Sequence, residues 1–294
     1  MKKTWLPLAV LAATALTPLY AHAWSREGHR LTALVAQDHL TPEAAAHVKT
    51  LLGRDSMADV ASFADEYKQD HRETAGWHFT DIPGAYDTYD RKRDCPVPPN
   101  NPAATVYDCS LDRIPYFEAI LKDPASTKDQ KVFALKFLIH LMGDLHQPFH
   151  DIGDARGGND IPVNMFGSTQ CDAYPCELHA TWDDGLIDHR GLSEKKYVAL
   201  LEQEITANNW QQVAETGTLI DWANTAHHYA QNAWVTPNTF IGKDYYNRWI
   251  PFIDRQLALG GLRLADALNA IYATPTAPAT TPAPAPAPTP APAK

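Results

Sequence analysis

Lys131-Val-Phe-Ala-Leu-Lys-Phe-Leu-Ile-His140-Leu-Met-Gly-Asp144-Leu-His146-Gln-Pro-Phe-His150 is the stretch that decides the fold. From Val132 to Leu145 it is apolar nearly all round, which places a helix inside a protein rather than on its surface. His140 and Asp144 nevertheless stand four residues apart, stacked on one face of that helix. A buried carboxylate is costly unless it is paired, hydrogen-bonded or bound to a metal. Pro148 breaks the helix end, so His150 can turn back toward the same cavity. His146 falls two residues beyond Asp144, about 200° around the helix axis, and is expected to point away from it.

The same spacing recurs at His179 and Asp183, within Glu177-Leu-His179-Ala-Thr-Trp-Asp183-Asp184. Either pair alone reads better as a His–Asp hydrogen bond on a helix surface. Two pairs, one of them on an apolar helix, favour a metal site inside a helical bundle. Weaker candidates are Asp65 in Ser62-Phe-Ala-Asp65, His78 in Trp77-His78-Phe79, and Trp24 with His29 in Trp24-Ser-Arg-Glu-Gly-His29.

Outward from these segments, helical periodicity dominates. It predicts helices over Gly28–Leu40, Pro42–Leu52, Asp55–Tyr67, Ser110–Leu121, Lys128–Leu145, His179–Asp188, Ser193–Ala207, Gln211–Ala233 and Asp244–Tyr272. Alternating strand patterns are scarce, and residues 81–109 and 151–177 are long and irregular. One compact all-α domain over residues 24–273 is the economical reading. Ahead of it, Lys2 and Lys3 precede an apolar run that ends at Ala21-His22-Ala23. That is the pattern of a cleaved export signal over residues 1–23, leaving the protein periplasmic or secreted rather than embedded in a membrane. Residues 274–294 carry eight prolines and read as an extended Pro/Ala/Thr-rich tail.

The formal charge is −10, and loss of Lys2 and Lys3 makes it −12. A protein so acidic does not hold a polyanion through a basic surface; bound cations must supply the attraction. Four cysteines in an oxidising compartment favour two disulfides over a zinc-thiolate site, since no C-x2-C pair is present. Three connectivities are possible, and the shortest loops favour Cys95–Cys109 with Cys171–Cys176.

Six ordered segments together resemble a known family: Trp24-x4-His29, Phe-Ala-Asp65, Trp-His78-Phe, His140-x3-Asp144-x-His-Gln-Pro-x-His150, Gly157-Gly-Asn159 and His179-x2-Trp-Asp183. They are similar to the zinc-dependent single-strand nucleases of fungi and bifunctional nucleases of plants, the S1/P1 type, which are related to bacterial zinc phospholipase C. The resemblance implies three zinc ions. Asp65, His78, His140 and Asp144 would hold the first, and His150, His179 and Asp183 the second. The third would take the Trp24 amine and carbonyl, His29 and the other oxygen of Asp144. Imidazole nitrogen and carboxylate oxygen are ordinary zinc donors.

It further implies cleavage of the P–O3′ bond of RNA and single-stranded DNA, leaving 5′-phosphates and 3′-hydroxyls, and action on 3′-nucleotides. Asp65 would orient the attacking water or receive its proton, and Lys68 would stabilise charge on the phosphoryl oxygens. Phe79, Asp81 and Asn159 would surround a nucleobase, with Tyr174 as a second stacking face. A monomer without an obligate protein partner is expected. Two alternatives stay open: a zinc phospholipase C on the same fold, and a non-catalytic exported zinc-binding domain.

Overall fold

The computed structural model describes residues 24–171 and 174–273. The expected export signal and the Pro/Ala/Thr-rich tail lie outside the described residues. The architecture is all-α. In chain order the helices are α1 (Arg26–Asp38), α2 (Pro42–Leu52), α3 (Phe63–Asp70), α4 (Arg91–Asp94), α5 (Ser110–Lys122), α6 (Lys128–Asp144), α7 (Leu178–Ala180), α8 (Leu186–His189), α9 (Glu194–Ala207), α10 (Trp210–Ala214), α11 (Leu219–Ala233) and α12 (Lys243–Tyr272). Single 3-10 turns occupy Ala58–Val60 and Pro148–His150, a longer 3-10 helix runs over Arg72–His78, and a π turn occupies Thr181–Gly185.

Local chemistry explains the helix starts. Thr41 caps α2 by accepting the Ala44 N–H, with Pro42 at the first helical position. α6 opens with a reciprocal box, in which Thr127 accepts the Gln130 N–H and Gln130 Oε1 accepts the Thr127 N–H. α11 repeats the device with Thr218 and Asp221.

The structure corrects several boundaries. The helix expected over Asp55–Tyr67 is a 3-10 turn followed by α3, which begins at Phe63. The expected Gln211–Ala233 helix is two helices, because Gly217 adopts φ +81° between them. The His179–Asp188 segment is α7, a π turn and α8 rather than one α-helix.

Strands are short. β1 (Val163–Met165) pairs in parallel with β4 (Thr239–Ile241), matching Val163 to Thr239. β2 (Gln170–Cys171) and β3 (Tyr174–Pro175) form a small antiparallel hairpin. Disulfides join Cys95 to Cys109 and Cys171 to Cys176. The first ties down the irregular segment before α5, and the second closes the β2–β3 hairpin.

Two apolar cores fill the molecule. One gathers Phe117, Phe137, Leu138 and Leu141 of α5 and α6 with Met57, Ala61 and Leu264. The other gathers Trp24, Phe149, Trp182, Tyr197, Leu201 and Leu257. α12 runs against α1, α9, α10 and α6 and so spans both. Each such aliphatic or aromatic side chain contributes about 1.5–3 kcal/mol on full burial, enough collectively to carry a few costly buried ions. Those ions lie at the seam: His140 and Asp144 come from the helix of the first core, while Trp24, His150 and Asp183 adjoin side chains of the second.

Candidate metal centre

The last turns of α6 bring His140 and Asp144 into the seam, both fully buried. His140 Nδ1 donates to the Ala61 carbonyl at 2.7 Å, which leaves Nε2 with its lone pair inward. That nitrogen lies 3.1 Å from His78 Nδ1 and 3.3 Å from Asp144 Oδ2, and His78 Nδ1 lies 2.9 Å from the same oxygen. Asp65 Oδ1, on the first turn of α3, faces the two imidazole nitrogens at 3.8 and 3.7 Å. Four donor atoms therefore surround one point. Tetrahedral donors about 2.0–2.1 Å from a zinc ion stand about 3.3–3.4 Å from one another, so the donor set fits such an ion in type and size.

Asp144 has a second side. Its Oδ1 lies 3.3 Å from His29 Nε2, which comes from α1. The His29 ring stacks on His140 with centroids 3.8 Å apart, and His29 also groups with Asp65 and His140 as possible ligands of one ion. Gly143 makes the approach possible, since a Cβ there would sit 2.8 Å from His29 Nδ1. Trp24 is fully buried beside it, its indole Nε1 donating to the Gly143 carbonyl at 2.9 Å.

The third group is assembled from short elements. The 3-10 turn after Pro148 delivers His150, whose Nδ1 donates to the His78 carbonyl at 2.9 Å. His179 on α7 donates from Nδ1 to the Gly157 carbonyl at 2.7 Å. Gly157 has φ +62°, and a Cβ there would overlap the Phe149 carbonyl oxygen. Both rings thus keep Nε2 inward, and His179 Nε2 lies 3.3 Å from Asp183 Oδ2 on the π turn. His150, His179 and Asp183 could together hold a metal ion. His150 Nδ1 is 3.9 Å from Asp144 Oδ1, so the groups adjoin.

Several buried atoms that face these groups have no hydrogen-bond partner among the described residues: His29 Nε2, Asp144 Oδ1, His150 Nε2 and His179 Nε2. Lone pairs orphaned in an apolar interior are expensive, and a divalent cation satisfies them. Burial pushes the pKa values of His29, His78 and His150 down to about 4 and that of His179 to about 3. Their neutral, ligating form is thereby favoured. Burial also works to raise Asp144, but the attraction of His140, with His29 and His78 close against its two oxygens, holds it well below the usual carboxylate range. Asp183 lacks that company, and burial raises it well above.

Lys68 is buried rather than solvated, its Nζ donating to Asp65 Oδ1 at 2.8 Å. Side chains of Asp65, Lys68 and Asp183 keep 5–6% exposure while those of His78, His140 and Asp144 keep none, so the cluster meets solvent on that side. Phe79 is half-buried with its ring 4.8 Å from that of His150. Asp81 lies at the surface, where crowding by protein and then Asp94 raise its pKa. Asn159 follows the Gly157 turn and donates to the Arg156 carbonyl. Tyr174 stands outward on the β2–β3 hairpin, 53% exposed. His146 points away, as its place on the helix requires: Nδ1 donates to the Met142 carbonyl and Nε2 accepts from Arg263 at 2.8 Å. The group Cys95, Cys109 and Asp112 is no ion site, because its sulfurs are joined in a disulfide.

Sequence reasoning gave no role to Gln147 or to the Ala61, His78 and Gly157 carbonyls. Only Gln147 left a trace, as an amide beside Pro148 at the end of an apolar helix.

Fold and cluster define an all-α protein with adjoining His/Asp groups able to hold several divalent ions. The S1/P1 Nuclease family pattern matches residues 24–273, and the chain belongs to that family. It is 30% identical to Nuclease PA3 of Penicillium sp over 285 residues, covering 86% of this chain and all of the relative. Nuclease P1 of Penicillium citrinum is 30% identical over 289 residues, with the same coverage. Endonuclease 4 of Arabidopsis thaliana is 30% identical over 285 residues, covering 86% of this chain and 91% of its own.

Proposed function

We propose that the protein is an exported zinc-dependent phosphodiesterase. It hydrolyses RNA and single-stranded DNA, and duplex more slowly, to products with 5′-phosphates and 3′-hydroxyls, and it removes phosphate from 3′-nucleotides. The observation that carries this reading is the gathering of buried imidazole and carboxylate atoms around Asp144, with the His150, His179 and Asp183 group beside it, in a chain of this family.

Asp65, His78, His140 and Asp144 would hold one zinc; His150, His179 and Asp183 a second; and Trp24, His29 and Asp144 a third. When bound, the ions neutralise phosphate charge and lower the pKa of a coordinated water from about 15.7 to about 7. Asp65, at the solvent side of the cluster, takes or orients the proton of the attacking water. Lys68, held by Asp65 at 2.8 Å, meets charge developing on the phosphoryl oxygens. Phe79 and Asp81 receive a base that has left its stack, and unstacking costs a few kcal/mol in duplex, which slows duplex cleavage. Asn159 and Tyr174 extend that base site.

The test is a substrate panel on the purified mature protein: single-stranded RNA and DNA, duplex DNA, 3′-nucleotides and lecithin vesicles, each with chelator and with zinc restored. Zinc-restored release of 5′-phosphorylated products from single strands is expected. Hydrolysis of lecithin without nucleic acid cleavage would replace this reading by the phospholipase.

A further inference from the structure

Gln147 lies between α6 and the His150 turn and is completely buried. A buried primary amide must place two N–H donors and one carbonyl acceptor, so its contacts reveal its task. Its backbone N–H donates to the Asp144 carbonyl at 2.9 Å, and its backbone carbonyl accepts the His150 N–H at 2.9 Å. The side-chain Oε1 accepts the Phe149 N–H at 2.6 Å. The side-chain Nε2 donates to Asp183 Oδ1, 36 residues away. One residue therefore touches the segments that carry Asp144, His150 and Asp183, and its amide orientation is fixed by the backbone donor at Phe149.

The hydrogen bond falls on one oxygen of Asp183. Oδ1 is taken by Gln147, while Oδ2 is the oxygen 3.3 Å from His179 Nε2. The hydrogen bond turns Oδ1 toward the Gln147 amide and so leaves Oδ2 as the oxygen aimed at His179. We propose that Gln147 is the positioning residue of the His150/His179/Asp183 group: it turns Asp183 so that Oδ2 alone faces the ion, and it locks the His150 turn to the same amide. An Asp183 that gives one oxygen leaves room on the ion for a phosphate oxygen of the substrate. The inference rests on the proposed metal-dependent function and adds a residue to it.

Gln147→Glu tests the positioning role through which zinc equivalent is weakened. The new side chain keeps the acceptor for the Phe149 N–H, but it sets an oxygen against Asp183 Oδ1 where a donor stood. Gln147→Met, similar in length, removes both bonds. Zinc binding is measured by competition with a chelator of known affinity, and thermal unfolding is measured in the metal-free state. Loss of such an orienting partner typically weakens metal affinity 10–100-fold. The expected result for Gln147→Glu is one equivalent of zinc weakened by about that factor, with the remaining equivalents bound as in the unsubstituted protein. Its metal-free unfolding temperature should fall, because the variant buries a second carboxylate against Asp183, and Gln147→Met should lower it as well by removing both bonds, so the positioning role is read from the confinement of the affinity loss to one equivalent. In the cobalt-substituted protein, the visible absorption of that one equivalent should change.

Equal affinity for every equivalent in Gln147→Glu and the unsubstituted protein would overturn the positioning role while leaving the metal centre intact. Weakening of all equivalents alike would assign Gln147 a general structural role instead. Failure of the unsubstituted protein to bind any divalent ion tightly would overturn both this inference and the function on which it rests.

Discussion

The two halves of the cluster are built by opposite means. His140 and Asp144 stand on a 17-residue helix, and His29 on a 13-residue one packed beside it. His150, His179 and Asp183 stand on a 3-10 turn, a three-residue helix and a π turn. The first half takes its geometry from regular helices and its charge balance from within, since three imidazoles attract Asp144. The second takes its geometry from borrowed groups: the His78 and Gly157 carbonyls and the Gln147 amide. Regular elements place ligands through periodicity, while irregular ones need a separate hydrogen bond for each ligand. Single π turns often mark functional sites because they shift a side chain out of helical register.

The largest difference between the halves should appear on removing their carboxylates. Asp144→Asn takes charge from the atoms facing both His78/His140 and His29, so loss of about two zinc ions and nearly all phosphodiesterase activity is expected. Asp183→Asn should lose one. Elemental analysis of the purified variants decides, and equal losses from the two would erase the distinction.

A backbone test comes next. Gly157→Ala places a side chain on a residue at φ +62° and against the Phe149 carbonyl. It should cost more than about 1 kcal/mol of stability and weaken zinc binding at the His179 half alone. Calorimetry with zinc titration reads both effects.

On the proposed function, export cleavage before Trp24 would free its α-amine, whose ordinary pKa of about 7.7–8.0 lets zinc displace the proton. A protein retaining one Met before Trp24 should bind fewer than three zinc ions and be much less active. Full content and activity in it would remove Trp24 from the ligand set and leave the other half of the comparison untouched.

Smaller effects follow from pH. Burial lowers the pKa values of His29, His78, His146, His150 and His179 to about 3–4. The unfolded chain therefore binds protons at these residues near about pH 6.5, where the folded one does not, so stability falls as pH falls. Asp151 and Asp183, raised well above the usual carboxylate range, and Glu177 and Asp254, raised to about 7 and about 6, take up protons in the folded protein over the same range and offset part of that loss. The metal-free protein should lose unfolding temperature steadily between about pH 6.5 and about pH 4. A flat or rising profile would contradict the assigned burial. Least affected in metal content is His146→Asn, which unpairs Arg263 at a cost of about 1–3 kcal/mol but should keep every zinc ion.

Legibility in the sequence followed the same division. His140 and Asp144 could be read because an apolar helix with two polar residues on one face has few explanations. The export of His146 to the far side came from the same periodicity. The His179–Asp183 spacing pointed to the right pair, whose side chains do meet, but to the wrong local structure, because a π turn leaves no mark in residue order. Gly217 broke a helix that read as continuous. Gln147 and Gly157 stood in segments that carry the resemblance, but their roles stayed hidden because their work is done on residues 36 and 22 positions away, and such bonds exist only after the chain has folded.

Native mass spectrometry of the exported protein beginning at Trp24, with cleavage of single-stranded RNA followed on the same sample, tests the central claim most directly. Three zinc ions are expected, with 5′-phosphorylated products that vanish on chelation and return with zinc. Undiminished cleavage by protein stripped of every divalent ion would contradict it.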